Sequence, residues 1–584
     1  MILCPNPHHR TDFLKLECLA RVVGVLFCPN TNSEYSPEFL GRTAEFCDKP
    51  ALTIDTLPDN VLLGIFSFCV SCPSDSPGRR MREWRSLVQV CKRWQETIYA
   101  SPRYLDLSLY FSNGDTITET LDRWPELPLI LSYVVPGELE CPVRKSDLYE
   151  LLAQRDRICR IELVMTPLGA DWVAEPMAEQ FPLLTHLDLI SEPKLDPDDP
   201  DFAAYFPYLD QFLGGSAPSL QHLCIDNVDY EGLPSLLSSA PNLVSLQIKN
   251  IRPTCYLPPK EMVGALSGLT KLRDLCIELS TWYPTSEFRD VERYQTPPSS
   301  SPSLVHVIFP ALTQLQIRGD SQYLEDLVAL IDAPLLEDLS IEYPEPDEPV
   351  EEGGMKADKL SQFIGRTETF KHAGFRRTEL TLDRHRACVK FDLPHGECQQ
   401  ARLSLTVLDS NEARGTPFAC TAIDMILVLS YIAIMPSEVR HLSIKDTGPE
   451  DQENQTHVPV VTALPSVILG VRWFPIFLSF PAVHVIHVTR SLAEDISCAL
   501  RDTPSELVAR VLPALQVIWL DVHDTSRRHK RKLMGITRRF LSLRDQSGLP
   551  VAIVYSRNEF VERLNPQQME LIGISRVRLD TPRF

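Results

Sequence analysis

One eight-residue pattern recurs along this chain and constrains its fold more than any other feature: proline, any residue, apolar, two further residues, apolar, any residue, apolar. It reads Pro182-Leu183-Leu184-Thr185-His186-Leu187-Asp188-Leu189, then Pro218 to Ile225 and Pro241 to Ile248. It returns without the proline at Leu269 to Ile277, and with it at Pro310 to Ile317, Pro334 to Ile341, Pro436 to Ile444, Pro481 to Val488 and Pro513 to Leu520. The last two apolar residues alternate, so they share one face of a short strand while the residues between and beside them face outward. Stacked copies predict a parallel sheet. Segments such as Tyr230 to Ser239 supply the returning turn or helix that covers its inner side. The proline is expected to set the chain extended before each strand.

The pattern resembles the leucine-rich repeat. It predicts an α/β fold in which an irregular solenoid of parallel strands with covering helices spans residues 111–584, behind a small helical module at 51–110 and a lead-in at 1–50. A chain of 584 residues with 44% hydrophobic content can bury a large core, and a solenoid escapes the size limit on single globular cores. Acidic or Pro/Ser-rich insertions at Asp196 to Asp201, Gln295 to Pro302, Glu345 to Gly354 and Pro449 to Asn454 are expected as surface loops. Residues 355–422 alternate like strands at Glu379 to Leu382 and Arg402 to Val407 but lack the signature, and are read as degenerate repeats. Met425 to Met435 is too short to cross a bilayer and is read as a buried covering helix.

Ahead of the repeats lies an amphipathic helical pair. The first helix opens at Leu57-Pro58, where a proline loses no needed hydrogen bond and Asp59 suits the positive helix end. Its apolar residues fall at Val61, Leu62, Ile65, Phe66 and Cys69. The second places Trp84, Leu87, Val88, Cys91, Trp94 and Ile98 on one stripe and ends at Ser101-Pro102. On pattern alone the pair is either a cap on a larger core or a docking surface.

Leu57-Pro58 followed by Ile65-Phe66, and then Val90-Cys91-Lys92-Arg93-Trp94, resemble the F-box. The match is closest to the F-box-like proteins of mushroom-forming fungi, through Ala100-Ser101-Pro102, the leucine-rich run Leu105 to Leu109 and Arg123-Trp124-Pro125. The resemblance covers roughly residues 51–135. It implies that Leu57, Pro58, Val61, Leu62, Ile65 and Phe66, with Leu87, Val90, Cys91 and Trp94, form the module's core and its contact with the Skp adaptor of a cullin-RING ubiquitin ligase. The chain is then expected to be a non-catalytic substrate receptor whose repeats hold a target protein. The alternatives are a repeat scaffold without a ligase role and an enzyme housed in residues 355–422. One departure is the Pro/Ser-rich loop from Cys69 to Arg80, longer than a compact F-box requires; its C-x-x-C, Cys69 and Cys72, has no second pair at zinc-ligand spacing.

Target contact is expected from the outward strand residues: His222, Cys224 and Asp226; Ser245, Gln247 and Lys249; Asp274, Cys276 and Glu278; Gln314, Gln316 and Arg318; Asp338, Ser340 and Glu342; His441, Ser443 and Lys445; Val517, Trp519 and Asp521. Trp519 is the expected hot spot, as an exposed tryptophan.

A net charge of −21 argues against gripping nucleic acid, which needs a basic footprint. The basic run Arg527 to Lys532 with Arg538 and Arg539 is read first as a solvated helix face, and otherwise as a nuclear import signal or acidic-partner patch. Sixteen scattered cysteines suit a reducing compartment, so Asn454-Gln455-Thr456 is read as a chance glycosylation match and a cytoplasmic or nuclear location is expected. Leu19 to Cys28 is a poor signal peptide, and no segment reaches membrane-spanning quality. No nucleophile elbow, phosphate loop or zinc motif is present, so no cofactor, metal or catalytic residue is expected. His484 and His487 are expected on opposite faces of one strand, and His186, His222 and His441 at equivalent outward positions on different repeats.

Overall fold

The structure is a computed structural model and describes residues 57–70, 77–112, 117–124, 126–135, 145–191, 204–205, 209–229, 232–251, 257–279, 306–344, 357–372, 375–382, 386–392, 402–408, 438–446, 473–474, 476–489, 492–521 and 527–556. The lead-in, the four insertions, Met425 to Met435, Cys72 and Asn454 lie outside the described residues. The chain divides into two compact units. One contains the described residues up to Val70 with Ser86 to Ser101; the other contains Pro77 to Arg85 and everything from Pro102 onward.

Helices α1 (Asp59–Val70), α2 (Pro77–Val88) and α3 (Lys92–Tyr99) replace the expected pair. The expected second helix breaks at Gln89 to Cys91, where Cys91 is extended (φ −159°, ψ 166°) and takes the N-cap position of α3 without a side-chain capping bond. The apolar spacing of Trp84, Leu87, Trp94 and Ile98 runs through this break unchanged, which is why the pattern concealed it. Cys91 itself is exposed rather than on the buried stripe. In the second unit, Trp84 donates from Nε1 to the Ser108 carbonyl (3.3 Å) and meets Trp124 edge-on at 5.2 Å, with the Arg85 guanidinium 4.9 Å from the Trp124 ring.

That unit is built on one sixteen-stranded sheet. Strands β1 (Leu109–Ser112), β2 (Leu129–Val135) and β3 (Ile158–Met165) precede the repeats. The repeats then give β4 (His186–Ser191), β5 (His222–Asp226), β6 (Ser245–Ile251), β7 (Asp274–Leu279), β8 (Gln314–Arg318) and β9 (Asp338–Pro344). All are parallel, with one register shift between β6 and β7 after Ile248, and Leu187, Leu223, Leu246, Leu275, Leu315 and Leu339 stand in one inward column.

The expected degenerate repeats are something else: β10 (Arg377–Leu382), β11 (Arg386–Asp392) and β12 (Arg402–Leu408) form an antiparallel meander. It enters the sheet reversed, β12 pairing with β9 and β10 with β13 (His441–Asp446), both parallel. Short connections permit antiparallel neighbours, whereas a parallel crossover needs a dozen or more residues. The parallel array resumes through β14 (Val485–Thr489), β15 (Val517–Asp521) and β16 (Ala552–Ser556).

The repeat proline works differently from expectation. In the repeats of β4, β5, β6, β8, β9, β14 and β15 it is the second residue of a β-turn: Leu184 N–H donates to Phe181 O, Leu220 to Ala217, Leu243 to Ala240, Leu336 to Ala333 and Leu515 to Leu512, across Pro182, Pro218, Pro241, Pro334 and Pro513. Proline's fixed φ suits that position. The buried residues bracketing each turn staple it to the core. One carbonyl per rung, such as Thr185 O, then accepts two N–H groups of the next rung, here Gln221 and His222, which locks the register.

Covering helices include α4 (Leu233–Ser239), α5 (Pro259–Leu266), α6 (Ser321–Val328), α7 (Asp358–Arg366), α8 (Leu492–Arg501) and α9 (Arg527–Gln546). In α8 burial, and then the neighbouring Glu494, push the Asp495 carboxyl up to about 6. The folded state therefore holds this proton more tightly than the unfolded chain. The associated stability is full below the ordinary carboxylate range near 3.8 and is lost as pH rises through about 6. Asp495→Asn is expected to stabilise the protein by about 1 kcal/mol at neutral pH, after allowing for solvent screening, and by nothing near pH 4. Urea titration of both chains at the two pH values checks this.

Candidate functional site

Two surfaces gather the residues singled out above. The first is on the helical unit. Pro58 sits one residue before α1, and its carbonyl accepts from Val61 N–H (3.0 Å) and Leu62 N–H (3.1 Å). Arg93, in the first turn of α3, donates from Nη2 to Leu57 O (2.5 Å) and to Asp59 Oδ1 (2.7 Å). One guanidinium thus ties the start of α1 to the start of α3. Behind the tie, Leu62, Ile65, Phe66, Leu87, Trp94 and Ile98 are buried, and the Phe66 and Trp94 rings meet at 4.8 Å.

The remaining residues face out. Val61 is 39% exposed and Val90 58%; Pro58 and Cys91 are exposed and Leu57 is half-buried. Phe68, which the sequence reading left out, is 64% exposed. Pro58, Val61, Gly64 and Phe68 recur at helical spacing, so they form one exposed ridge along α1, and the spacing of seven between Val61 and Phe68 was the available signal. The structure thereby separates two groups that the pattern left mixed, an inner set and an outer apolar set flanking Arg93.

The second surface is the outward face of the sheet, which changes character along its length. From β3 to β9 its residues are mostly half-buried or exposed. Arg160 pairs with Glu162 (2.6 Å) and lies 3.9 Å from Asp188. The His186 and His222 rings stack at 4.3 Å, and burial, followed by His222 and Arg160, pushes His186 down to about 4. Asn250, left-handed at φ 52°, donates to Asp226 (2.7 Å). Glu278 accepts from Gln316 Nε2 (3.2 Å) and Cys276 Sγ (3.4 Å), and Arg318 pairs with Glu342 (3.0 Å). Gln247 and Lys249 on β6, Asp274 on β7 and Ser340 on β9 share this face.

Burial, with nearby carboxylates, pushes the Cys224 thiol up to about 11 and Cys276 to about 12. Both stay protonated at neutral pH, which removes them as nucleophiles. Among the described residues no cluster of three or more His, Cys, Asp or Glu could hold a metal. No described helix is long and apolar enough to cross a membrane.

Beyond the meander the face is mixed, with buried positions interleaved among half-buried ones. His441, half-buried, is held below the ordinary imidazole range by burial and then Arg377, and Lys445 pairs with Glu379 at 2.6 Å. Thr406, Ser443, Val485 and Val554 are buried although they point outward, and Val517 is 0% exposed. Trp519 packs on Val485, Val517 and Val554 and meets His487 at 5.2 Å; its Nε1 is buried without a hydrogen-bond partner among the described residues. Trp519 is thus half-buried where the sequence reading expected it exposed, part of its indole being taken up by contacts within the protein. Val517, Ser443 and Ser245 are likewise buried. Asp521 lies on β15 beside Ser556. His484 precedes β14, and His487 lies on its outward face. The basic run lies on α9, where Lys532, Arg538 and Arg539 are exposed.

No family model matches the chain, and no curated protein matches it. Among solved structures it is distantly similar to a chain in the crystal structure of the Rad7 and Elc1 complex from yeast, with a TM-score of 0.25 and 13% identity over 80% of this chain and 91% of that one.

Proposed function

We propose that this protein is the non-catalytic substrate-recognition subunit of a Skp–cullin–F-box ubiquitin ligase working in the cytoplasm or nucleus. The reading rests on one observation: a small helical unit whose inner apolar set is packed around Phe66 and Trp94 carries a second, outer apolar set at Pro58, Val61, Phe68, Val90 and Cys91. Exposed apolar residues lined up on a helix mark an interaction surface. The F-box resemblance names the Skp adaptor as its occupant. The outward sheet face then holds the target protein, and the receptor acts by proximity, raising the target's effective concentration near a ubiquitin-charged enzyme.

The test is capture of purified Skp adaptor by the full chain and by a Val61→Asp, Val90→Asp variant. Both side chains already face out, so circular dichroism should be unchanged. Capture is expected to weaken about 100-fold in the variant, as for loss of central apolar anchors. Absence of capture by the intact chain would overturn the reading.

A further inference from the structure

Helix α9 has one side used for packing and another that the rest of the chain leaves open. Leu533, Thr537, Phe540 and Arg544 are buried and recur at helical spacing, so that side is consumed within the protein. Opposite it, Lys532, Arg538, Arg539 and Ser542 are exposed around Gly535, and Met534 at the border is 47% exposed. From Arg527 to Arg539 the chain carries seven Lys and Arg and no Asp or Glu, in a protein of net charge −21. Like charges three and four residues apart repel along a helix, so this run costs stability by itself. Neighbouring carboxylates relieve little of it: Glu494 pairs with Lys532, Asp502 is engaged by Arg501 at 2.7 and 3.0 Å, and Asp545 lies seven residues beyond Arg538.

Gly535 is the second, independent sign. Glycine inside a helix is less stable than alanine, because it gains more backbone freedom on unfolding. A Cβ at Gly535 would meet nothing within 4 Å, so packing inside the protein does not call for its absence. A bare backbone at the centre of an exposed face instead permits close approach by another chain.

We infer that this face of α9, centred on Gly535 and lined by Met534, Arg538 and Arg539, docks an acidic segment of a partner protein that also carries apolar side chains. Charge selects an anionic partner. Arginine and methionine are enriched where proteins meet, and a nucleic acid would gain little from Met534 and would run on over a chain of net charge −21. Insertion into a membrane is excluded by the inner side, because Leu533 and Phe540, both 0% exposed, are the residues that would have to enter the lipid. The surface is separate from the α1 ridge and from the outward sheet face, and the inference stands apart from the receptor reading.

The experiment uses the full chain and a fluorescein-labelled peptide of glutamate, alanine and leucine patterned as an amphipathic helix, read by fluorescence anisotropy beside a labelled thymidine oligonucleotide. The native chain is expected to bind the peptide more tightly than the oligonucleotide. Arg538→Glu with Arg539→Glu should weaken peptide binding about tenfold and flatten its salt dependence. Gly535→Leu keeps every charge and has room for its side chain, so circular dichroism should be unchanged while peptide binding falls through the clash with the partner. The same charge reversal elsewhere, Lys260→Glu with Arg273→Glu, should bind as the native chain does. No peptide binding by the native chain, tighter binding of the oligonucleotide, equal loss in both charge-reversed chains, or full binding by Gly535→Leu would each overturn the inference.

Discussion

Arg544→Ala is expected to destabilise the C-terminal rungs by about 3 kcal/mol, the order expected when buried carbonyls lose their donor. Arg544 is 0% exposed, and its guanidinium meets carbonyls rather than a carboxylate: Nη1 donates to Val508 O (3.4 Å), Nη2 to Pro513 O (3.2 Å) and Leu515 O (3.1 Å). These carbonyls belong to the segment that turns at Pro513 into β15, so one side chain of α9 clamps the turn of the rung beneath it. Burial holds the guanidinium below its ordinary value. Arg544→Lys keeps the charge and loses the fork, and should recover only part of the stability. Thermal unfolding followed by far-UV circular dichroism reads both variants; an unshifted midpoint in the alanine variant would remove the clamp from this account.

The parts of the fold that could be read from the chain are those where one physical rule governs. Each of the nine repeat copies became a strand, since two alternating leucines and a turn-forming proline leave little else to form. Strands β2 and β16, Leu-Ile-Leu-Ser-Tyr-Val-Val and Ala-Ile-Val-Tyr-Ser, lack the leading turn and were not read as rungs. The meander was visible as alternation, but its reversed direction was not: alternation carries no polarity, and the length of connection decides it. In the helical module, helical spacing persisted through the break at Cys91, and neither glycine nor proline marked it. For the candidate surfaces, alternation separated inward from outward residues, yet could not show that some outward positions, Thr406, Ser443, Val485, Val517 and Val554, are buried. Trp519 was judged by its side of the strand, and burial depends on what lies over that side.

Glu325→Ala is expected to cost about 3 kcal/mol and to fray the start of α7. Glu325, on α6, is 5% exposed, and its two carboxylate oxygens accept the backbone N–H groups of Lys359 (2.7 Å) and Leu360 (3.1 Å). The residue before α7 is Ala357, which has no side-chain acceptor, so the cap that a serine or aspartate usually supplies comes from the neighbouring helix. The same carboxylate suits the positive end of α7, while burial, only partly offset by those two N–H bonds, still raises its affinity for a proton. Asp326 adds an ion pair to Lys359 beside it. Removing Glu325 leaves two buried donors unpaired, whereas Glu325→Gln retains one acceptor and turns an amide N–H toward the other, so about half the loss is expected. Amide exchange identifies the mechanism more directly than melting does: Lys359 and Leu360 should lose protection in Glu325→Ala while the inward leucines of β8 and β9 keep theirs.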